Sequence, residues 1–532
     1  MQPDAVQQRE VNPTRFALLA LLSLSPLLAQ TAQRPDNGPP PQAQAQTAEP
    51  APPADNGHPA RTPELVEEKP SVTHHKATVR GKVLQYTATA GRLPIRNETG
   101  HIEAQMFYVA YTLDAAQSKR PLTFAFNGGP GSATIWLHMG CFGPKRVKML
   151  PNGFMPPPPY EWEDNANTIL DKTDLVFVDA IGTGYSRAVT PELGKKFWSL
   201  SGDIAAFGEF VRLYLQRNSR WTSPIYLAGE SYGTTRAAGL SGYLVDHGIA
   251  LNGVVLISTI LNFQTASFST GNDLPYILYL PTYALTAVYH HKLAPDVAQN
   301  TEKLREDVEK FAAGDYATAL QEGDALSPAR RDAVAERLSR FTGLSKQYIE
   351  RCNLRVDLSH FDSELLRDEG KTVGRLDGRF TGVNASGTQQ SPDYDPSESA
   401  IRPPYTSVFG DYVKQELNYQ SDLTYYVLGG GIGRWDFQTS GWSGFADTSA
   451  ALRHAFAKNP FMHVFVAEGF YDAPTPYFAA EYTFNHMGLP PEAHKNVTRD
   501  HFNAGHMVYI DNDSMNKLRV DVSKLYDEGA TQ

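Results

Sequence analysis

Ser231 stands at the centre of the sequence Gly-Glu-Ser-Tyr-Gly, residues 229–233, which follows the apolar run Ile-Tyr-Leu-Ala at 225–228. The apolar run predicts a buried parallel strand, and residues 234–243 predict a helix that returns across the sheet. A serine on such a tight turn exposes its hydroxyl, which becomes a nucleophile when a histidine removes its proton. A strand-to-helix turn in which the serine only caps the helix could have the same five residues. The motif therefore indicates catalysis only if a carboxylate and a histidine accompany it.

Asp472 and His506 are the candidates for these two partners. Asp472 lies just beyond the apolar segment 462–467, in the loop where a triad carboxylate is needed. His506 stands beside a glycine, shortly before the predicted C-terminal helix. The order serine, aspartate, histidine is that of the α/β-hydrolase fold. The alternatives in the same part of the chain are Glu468, Asp511 and Asp513 for the carboxylate and His501 for the histidine.

A cluster of glycines follows an earlier apolar segment. Residues 122–126, Leu-Thr-Phe-Ala-Phe, predict a buried strand that ends in Asn-Gly-Gly-Pro-Gly-Ser at 127–132. The cluster has neither the lysine of a phosphate-binding loop nor the spacing Gly-x-Gly-x-x-Gly. A loop without side chains at this place instead allows a backbone N–H group to reach the oxygen of a reacting carbonyl.

Strands and helices alternate on both sides of these motifs. Apolar runs at 174–179 and 253–258 predict further buried strands, and helical periodicity after Ser201 predicts the crossover to the serine motif. The alternation predicts an α/β protein with the α/β-hydrolase fold, in which helices cover both faces of a mostly parallel central sheet. It breaks between about 264 and 433, where charged helical segments predict an inserted, mainly helical cap. The catalytic domain is expected to span residues 71–532.

The composition excludes several classes of function. Hydrophobic residues make up 41% of the 532 residues, charged residues 20%, and the formal net charge of -10 leaves no basic face, so nucleic acid is not an expected partner. Cys141 and Cys352 allow one disulfide in an exported protein or two lone thiols, and they are too few for a zinc or iron–sulfur site. The histidine pairs at 74–75 and 290–291 do not form a metal site either. No metal and no cofactor is expected.

The N-terminus predicts export. Within residues 1–32, Arg15 precedes the apolar run 16–28, and small residues at Ala29 and Ala32 follow as candidate cleavage sites. The run is short for a transmembrane helix, so cleavage without a remaining membrane span is expected, with an uncleaved anchor as the alternative. Residues 33–70, rich in Pro, Ala and Gln, predict a disordered linker. The protein is therefore expected to be periplasmic or secreted.

Four segments resemble those of the serine carboxypeptidase family and occur in the correct order. They are Asn-Gly-Gly-Pro-Gly at 127–131, Asp-Ala-Ile-Gly-Thr-Gly-Tyr-Ser at 179–186, the serine motif at 229–233, and Ala-Gly-His-Met-Val at 504–508. The resemblance implies an α/β-hydrolase that releases C-terminal amino acids from peptides through an acyl-enzyme. It implies that Ser231 is the nucleophile, His506 the general base and then acid, and Asp472 the residue that orients the histidine. It also implies an oxyanion hole from the N–H groups of Gly129 and Tyr232, and a site for the substrate's free carboxylate made by Asn127, Gly128 and Glu230.

The resemblance has a consequence for pH. Glu230 would bind the substrate carboxylate best when protonated, since a charged glutamate would repel it, and mildly acidic pH is therefore expected to favour activity. Members of the family often place a second glutamate shortly before a Gly-Pro that follows the oxyanion loop, but here Cys141 precedes Gly143-Pro144. Glu230 is thus expected to lack an acid partner, which weakens the expectation of an acidic optimum. Residues 234–236, Thr-Thr-Arg, differ from the secreted eukaryotic branch and favour a bacterial-type exported member.

Two other classes of function are compatible with these residues. A serine esterase or acyltransferase would use the same machinery on another acyl donor, and a binding protein with a decayed site would keep the fold without the chemistry. Release of a free amino acid from a blocked dipeptide, absent from Ser231→Ala, would favour the peptidase. Failure of a serine-directed fluorophosphonate to label Ser231 would favour the binding protein.

Overall fold

The computed structural model of the protein describes residues 66–114, 119–438 and 444–529. The signal predicted at 1–32 and the linker up to residue 65 fall outside these ranges. The strands are β1 (Ser71–Val79), β2 (Lys82–Arg96), β3 (Ile102–Leu113), β4 (Leu122–Phe126), β5 (Lys145–Val147), β6 (Trp162–Asp164), β7 (Asp174–Val178), β8 (Arg187–Ala188), β9 (Ile225–Ser231), β10 (Gly253–Thr259), β11 (Lys371–Val373), β12 (Thr381–Val383), β13 (His463–Gly469) and β14 (Val497–Phe502).

Helices connect these strands. The α-helices are α1 (Pro191–Phe197), α2 (Leu200–Arg217), α3 (Tyr232–Asp246), α4 (Leu274–Tyr289), α5 (Pro295–Ala298), α6 (Thr301–Phe311), α7 (Ala317–Glu322), α8 (Pro328–Thr342), α9 (Lys346–Arg351), α10 (Leu358–Glu364), α11 (Pro396–Gln415), α12 (Ser449–Lys458), α13 (Tyr477–His486) and α14 (Asn512–Gly529). Short 3-10 helices lie at Phe263–Ala266, Gly323–Ala325, Arg367–Glu369, Pro491–Asn496 and Val508–Ile510, and π-helical turns at Leu137–Phe142 and Ala312–Tyr316.

Side-chain caps mark several helix starts. Ser199 accepts a hydrogen bond from the backbone of the first turn of α2, and Asn300, Ser327 and Asp395 do the same for α6, α8 and α11. Each cap satisfies one of the N–H groups that the first turn of a helix leaves without an intrahelical partner. The polar residue before each helix therefore defines where the chain turns into it.

The main sheet has the strand order β1-β2-β3-β7-β4-β9-β10-β13-β14, with β8 paired to β3. The first three strands and the β3–β7 pair are antiparallel, whereas β7, β4, β9, β10, β13 and β14 are parallel neighbours. The predicted mostly parallel sheet is thus confirmed, with an antiparallel extension at one side. Parallel strands align their carboxyl ends along one edge, and ligands bind at that edge in such sheets.

Helices cover both faces of the sheet. In β7, Leu175 and Phe177 belong to one buried apolar cluster, and Val176 and Val178 belong to another. The first cluster also contains residues of α11 and α14, and the second contains residues of α2, α3 and α12. Because successive side chains of a strand point to opposite faces, the two clusters lie on the two sides of the sheet.

A long insertion separates β10 from β13. It contains α4 to α11, and the cluster formed by α4, α6 and α8 is a third apolar core of its own. The segments predicted as charged helices are α6 and α8, whose buried faces are apolar. The insertion therefore has its own packing and leaves the strand order of the sheet undisturbed.

Two further observations concern the whole described chain. Within residues 66–114, 119–438 and 444–529, no helix is both long enough and apolar enough to cross a membrane. Cys141 is buried, Cys352 is partly buried, and both are free thiols.

Candidate active site

Ser231 occupies a strained turn between β9 and α3. Its backbone has φ 60° and ψ -132°, a region that residues with a side chain rarely adopt. Its neighbours make the turn possible, since a Cβ on Gly229 would lie 2.2 Å from the carbonyl oxygen of Gly233. The turn places Ser231 at the N-terminus of α3 and at the edge where the parallel strands end. This is the strand, tight turn and helix that the sequence predicts.

Asp472 and His506 form a buried pair. His506 Nδ1 lies 2.9 Å from Asp472 Oδ2, and both side chains are almost completely inaccessible to solvent. Thr475 fixes the carboxylate, because its backbone N–H donates to Oδ1 at 3.0 Å and its hydroxyl donates to Oδ2 at 2.7 Å. The aspartate is thus held by two donors besides the imidazole, an arrangement that can set the tautomer of the histidine.

The ends of β13 and β14 bring the two residues together. Pairing continues beyond both strands, because Tyr471 N–H donates to the carbonyl of Ala504 at 3.0 Å. His506 N–H then donates to the carbonyl of Leu376 at 2.7 Å, and the Ser258 hydroxyl donates to the carbonyl of His506 at 2.6 Å. Segments from the insertion and from β10 therefore fix the backbone of the histidine.

The alternative candidates have other partners. Glu468 accepts hydrogen bonds at 3.2 Å from the backbone N–H of Thr259 through both carboxylate oxygens, and burial raises its pKa well above its usual value. Asp511 accepts a hydrogen bond from Ser514 N–H at 2.9 Å, Asp513 lies in the first turn of α14, and His501 Nε2 lies 3.1 Å from Glu481. Of the carboxylates considered from the sequence, Asp472 is the one that contacts His506.

The electrostatics of His506 follow from its neighbours. Burial by itself lowers the pKa of the imidazole, but the charge of Asp472 and the hydrogen bond to it outweigh this effect and raise the pKa above its usual value. The charge of Glu230 acts in the same direction, and Arg375 opposes it. A histidine of this kind accepts a proton readily, as a general base must.

Asn127 organises the glycine loop after β4. Its side-chain oxygen accepts the N–H of Leu137 at 2.9 Å, and its backbone carbonyl accepts Nη1 of Arg236 at 2.6 Å. Its side-chain nitrogen donates to Oε1 of Glu230 at 3.0 Å. The side-chain amide is therefore oriented by Leu137 and Glu230, and Arg236 holds the backbone of Asn127.

Gly128 and Gly129 follow Asn127 and lie against the serine turn. A Cβ on Gly128 would stand 2.4 Å from the backbone nitrogen of Tyr232, closer than real Cβ atoms approach other atoms. The backbone nitrogen of Tyr232, the first residue of α3, thus lies against the glycine loop beside Ser231. This is the place where two N–H groups can meet the oxygen of a carbonyl that reacts with the serine.

Glu230 is completely buried beside Ser231, and two donors hold it. Asn127 binds Oε1, and the hydroxyl of Tyr509 donates to Oε2. Burial raises the pKa of Glu230 to about 7, although the hydrogen bonds from both partners and the charge of His506 lower it. Cys141 lies close enough that the charge of Glu230 contributes to raising the pKa of its thiol. The sequence predicts that Glu230 has no acid partner, and its carboxyl group in the structure is bound by an amide and a phenol.

The segment 426–432 hydrogen-bonds to two glycine-containing loops. One is residues 127–133, after β4, and the other is residues 179–186, after β7. Ala133 N–H donates to the carbonyl of Val427 at 2.9 Å, and Gly184 N–H donates to the carbonyl of Tyr426 at 2.9 Å. Ser132 forms a bridge with Leu428. Gly429 N–H also donates to the carbonyl of Gly131 at 2.9 Å, so this segment belongs to the support of the site.

These residues surround one cavity of about 470 Å³. Of the residues proposed from the sequence, those lining it are Asn127, Gly128, Gly129, Glu230, Ser231, Tyr232 and His506. Asp472 lies behind His506. Apolar walls come from Phe268 and Tyr279 in the insertion on one side and Trp136 on another. A larger depression of about 790 Å³ lies between α6 and α8. None of the residues proposed from the sequence as catalytic or substrate-binding lines it.

Three supporting residues were not predicted from the sequence. Tyr509 and Glu230 are 279 positions apart, and no local pattern links them. Arg236, fully buried, connects Asp203 with Asn127 through hydrogen bonds of 2.7 and 2.6 Å. Thr475 alone had a local signal, since an aspartate often binds the backbone a few residues further on in a turn.

Within residues 66–114, 119–438 and 444–529, no group of His, Cys, Asp and Glu side chains is arranged to hold a metal ion. The polar residues that line the cavity include Asn127, Glu230, Ser231 and His506, and Arg375, Glu398 and Ser359 line it as well. The fold and the geometry together define the class as an α/β-hydrolase with a candidate serine, histidine and aspartate site.

Comparison with known proteins identifies the family within this class. The model of the family described as serine carboxypeptidase, Peptidase_S10, matches residues 84–503, and the chain belongs to this family. The serine carboxypeptidase S10 family member 1 of Dictyostelium discoideum is 25% identical over 229 residues, which are 42% of this chain and 50% of the relative. The chain therefore spans about half the length of this curated relative.

A solved structure has the same fold. The prohormone-processing carboxypeptidase Kex1(delta)p from Saccharomyces cerevisiae superposes with a TM-score of 0.51 and 15% identity, covering 82% of this chain and 91% of the yeast chain. The similarity extends over most of both chains and shows the α/β-hydrolase fold. It also agrees with the fold class predicted from the sequence.

Proposed function

We propose that the protein is a serine carboxypeptidase that releases the C-terminal amino acid from peptides. The observation that carries this proposal is the buried carboxyl group of Glu230, which lies beside Ser231 and is held by Asn127 in the same cavity as His506. A neutral carboxyl group and an amide can both donate hydrogen bonds to the terminal carboxylate of a peptide. Family membership supports the same reaction.

The proposed acyl-transfer steps use Ser231 as the nucleophile, His506 as the base and Asp472 as the orienting carboxylate. His506 takes the proton of the Ser231 hydroxyl while the serine oxygen attacks the last peptide carbonyl, and Asp472 stabilises the imidazolium that forms. The N–H groups of Gly129 and Tyr232 receive the oxyanion of the tetrahedral intermediate. His506 then gives the proton to the leaving amine, and water releases the acyl group from the serine by the same steps.

The terminal carboxylate positions the substrate for this attack. Asn127, Gly128 and Glu230 line the same cavity as Ser231, and a carboxylate bound by them would hold the last peptide bond next to the serine. Glu230 must be protonated to donate its hydrogen bond, and its pKa of about 7 means that protonation is lost as the pH rises through neutrality. Peptide hydrolysis is therefore expected to favour neutral to mildly acidic pH.

The insertion is proposed to act as the cap, spanning about 264–433, that closes the cavity over the substrate. Phe268, Tyr279 and Leu358 belong to it and contribute apolar wall beside the candidate nucleophile. The side chains next to the scissile bond would contact these walls. The preference for particular peptides is therefore expected to depend on the cap.

The experiment compares blocked dipeptides with a free C-terminus and the same dipeptides with a C-terminal amide. Wild type should release the free amino acid from the acids and act far more slowly on the amides, and Ser231→Ala should release nothing. A fluorophosphonate should label wild type at Ser231. Equal rates on acids and amides would contradict a site for the terminal carboxylate. Ester cleavage without release of amino acids would instead assign an esterase or acyltransferase. A protein that is folded but not labelled would be a binding protein.

We also propose that the protein is an exported, bacterial-type member. The support is the charged and apolar pattern of residues 1–32 followed by the linker-like residues 33–70. Expression of the full chain in a bacterial host, with mass spectrometry of the N-terminus, tests this proposal. A mature N-terminus near Ala29 or Ala32 in the periplasm or medium is the expected result. An intact N-terminus on a membrane-bound protein would favour the anchor.

A further inference from the structure

Both oxygens of the Glu230 carboxyl group accept hydrogen bonds from neutral donors. Oε1 accepts from Asn127, which follows β4, and Oε2 accepts from the hydroxyl of Tyr509, which follows β14. Tyr509 is completely buried in the 3-10 helix Val508–Ile510, three residues after His506. The carboxyl group of Glu230 is therefore held by two residues that lie far apart in the chain.

The other groups that face Glu230 do not share a proton with it. Cys141, in the π-helical turn Leu137–Phe142, and Tyr405, in α11, are close enough to feel its charge, and burial raises the pKa of both so that they stay uncharged. His506 and Asp472 act on it through their charges. Among the described residues, Asn127 and Tyr509 are the partners that hydrogen-bond to the carboxyl group.

We propose that Tyr509 is a positioning residue for Glu230, which fixes the direction of its carboxyl group and lowers its proton affinity. The proposal rests on the proposed function, since it concerns the group that would bind the terminal carboxylate of the substrate. A phenol donates one hydrogen bond to a carboxylate more strongly than to a carboxylic acid. Tyr509 therefore favours the ionised form of Glu230 and narrows the pH range in which the glutamate is a donor.

Tyr509 keeps its own proton throughout. Burial and the charge of Glu230 raise the pKa of the phenol well above its usual value. Glu230 donates a hydrogen bond to the substrate carboxylate only when it is protonated, and the hydroxyl of Tyr509 then still donates to Oε2. Where Glu230 is ionised, it must first take a proton from solvent, which forms its O–H bond. The cost of this protonation depends on the strength of the tyrosine hydrogen bond.

The test compares wild type, Tyr509→Phe and Tyr405→Phe. Tyr405→Phe is the matched control, because it also removes a buried hydroxyl near Glu230 but one that is not bonded to its carboxyl group. Each enzyme is assayed from pH 5 to 9 on a blocked dipeptide with a free C-terminus. The second substrate is a blocked amino-acid p-nitrophenyl ester, which has no terminal carboxylate and reports the serine site alone.

Tyr509→Phe should move the alkaline limb of kcat/KM for the peptide upward by about one pH unit, the usual effect of one lost hydrogen bond to a charged group. The ester profile should not move, and neither profile should move in Tyr405→Phe. The proposal is overturned if the peptide limb stays in place in Tyr509→Phe, if Tyr405→Phe moves it equally, or if the ester and peptide limbs move together.

Two further measurements keep the outcome decisive. The difference in melting temperature between wild type and Tyr509→Phe, followed across pH, reports the effect of the tyrosine on the titration of Glu230 without substrate. This difference should change between about pH 6 and 8, and a constant difference would overturn the proposal. The measurement tests the pair even if no peptide is hydrolysed, a result that would overturn the proposed function alone. If Tyr509→Phe does not fold, 3,5-difluorotyrosine at position 509 makes the phenol a stronger donor with little change in volume. It should move the peptide limb to lower pH, and an unchanged limb would overturn the proposal.

Discussion

His506 and Asp472, 34 positions apart in the chain, meet through one hydrogen bond of 2.9 Å, and both side chains are almost completely buried. The pair depends on the ends of β13 and β14, which continue to hydrogen-bond after the strands have ended. Because the carboxylate charge is what raises the pKa of the imidazole, the pair sets both the orientation of the histidine and its basicity.

The first prediction concerns this pair. Asp472→Asn should lower kcat/KM for peptides by roughly three to four orders of magnitude, because the imidazole loses its fixed tautomer and the stabilisation of its charged form. The acidic limb of the remaining activity should move to lower pH, since burial alone lowers the pKa of His506. Stopped assays from pH 4 to 9 measure both effects.

Glu468→Gln is the control for this variant. Glu468 lies in β13, the strand that precedes Asp472, and is equally buried. Its oxygens accept hydrogen bonds from Thr259, and it does not contact His506. Glu468→Gln should retain activity within a few fold of wild type. An equal loss in both variants would mean that the buried carboxyl groups near the end of β13 are needed for the fold. Asp472 would then have no particular effect on His506.

The second prediction follows from the raised pKa of Glu230. A carboxyl group with a usual pKa of 4.5 and a folded pKa of about 7 binds a proton more tightly in the folded state, so its contribution to stability is lost as the pH rises from about 4.5 through about 7. Over that window the free energy of unfolding should fall by about 3 kcal/mol from this group alone. Glu230→Gln, which does not titrate, should lack that part of the decrease.

Urea unfolding of both proteins at intervals from pH 4.5 to 8 measures this difference. The two curves should diverge in slope between these limits and run parallel above pH 8. A constant difference over the whole range would show that Glu230 titrates with its usual pKa.

The sequence predicted the centre of the sheet better than its edges. The predicted segment 122–126 agrees with β4 at both ends, because an apolar run bounded by turn residues has few alternatives to a buried strand. The edge strands β1 and β14 were not predicted. β1 alternates buried and exposed positions with polar residues such as His74 and His75, so its pattern does not differ from that of an exposed segment.

The residues of the site also divide into those that the local sequence predicts and those that it does not. Ser231, Asp472 and His506 lie in short motifs with a fixed order, and local sequence is enough to propose them. Tyr509 contacts Glu230 across 279 positions, a relationship that depends on how β14 packs beside the rest of the sheet. Long-range pairs of this kind have no local signal, because neither partner requires a particular neighbour in the chain.

The third prediction concerns Arg236, whose guanidinium is fully buried and joins Asp203 to the carbonyl of Asn127. Arg236→Met should cost about 3 to 5 kcal/mol of stability, because it leaves the carboxylate of Asp203 buried without its partner. Peptide hydrolysis should fall as well, since Asn127 loses one of the bonds that orient it. Chemical denaturation and kcat/KM on the blocked dipeptide measure the two effects.

Two variants control for the charge itself. Arg212→Met removes an exposed arginine from an ion pair with Glu209 on the same helix as Asp203 and should cost less than about 1 kcal/mol. Adding Asp203→Asn to Arg236→Met should recover part of the stability but not the activity. If Arg236→Met were as stable as Arg212→Met, the buried pair would have no role in holding the loop.

The fourth prediction concerns the contact between Gly128 and the start of α3. An added Cβ at Gly128 would lie 2.4 Å from Tyr232 N and 2.6 Å from Gly233 N, so Gly128→Ala must push the loop away from the serine turn. A displacement of about 1 Å should lower kcat/KM by roughly a hundredfold on peptide and ester alike, because both need the same oxyanion site. Gly410→Ala, at a position in α11 where a Cβ meets no atom within 4 Å, should leave activity unchanged. Loss of peptide activity with full ester activity in Gly128→Ala would mean that the added Cβ disturbs only the carboxylate site and leaves the oxyanion site of Gly129 and Tyr232 in place.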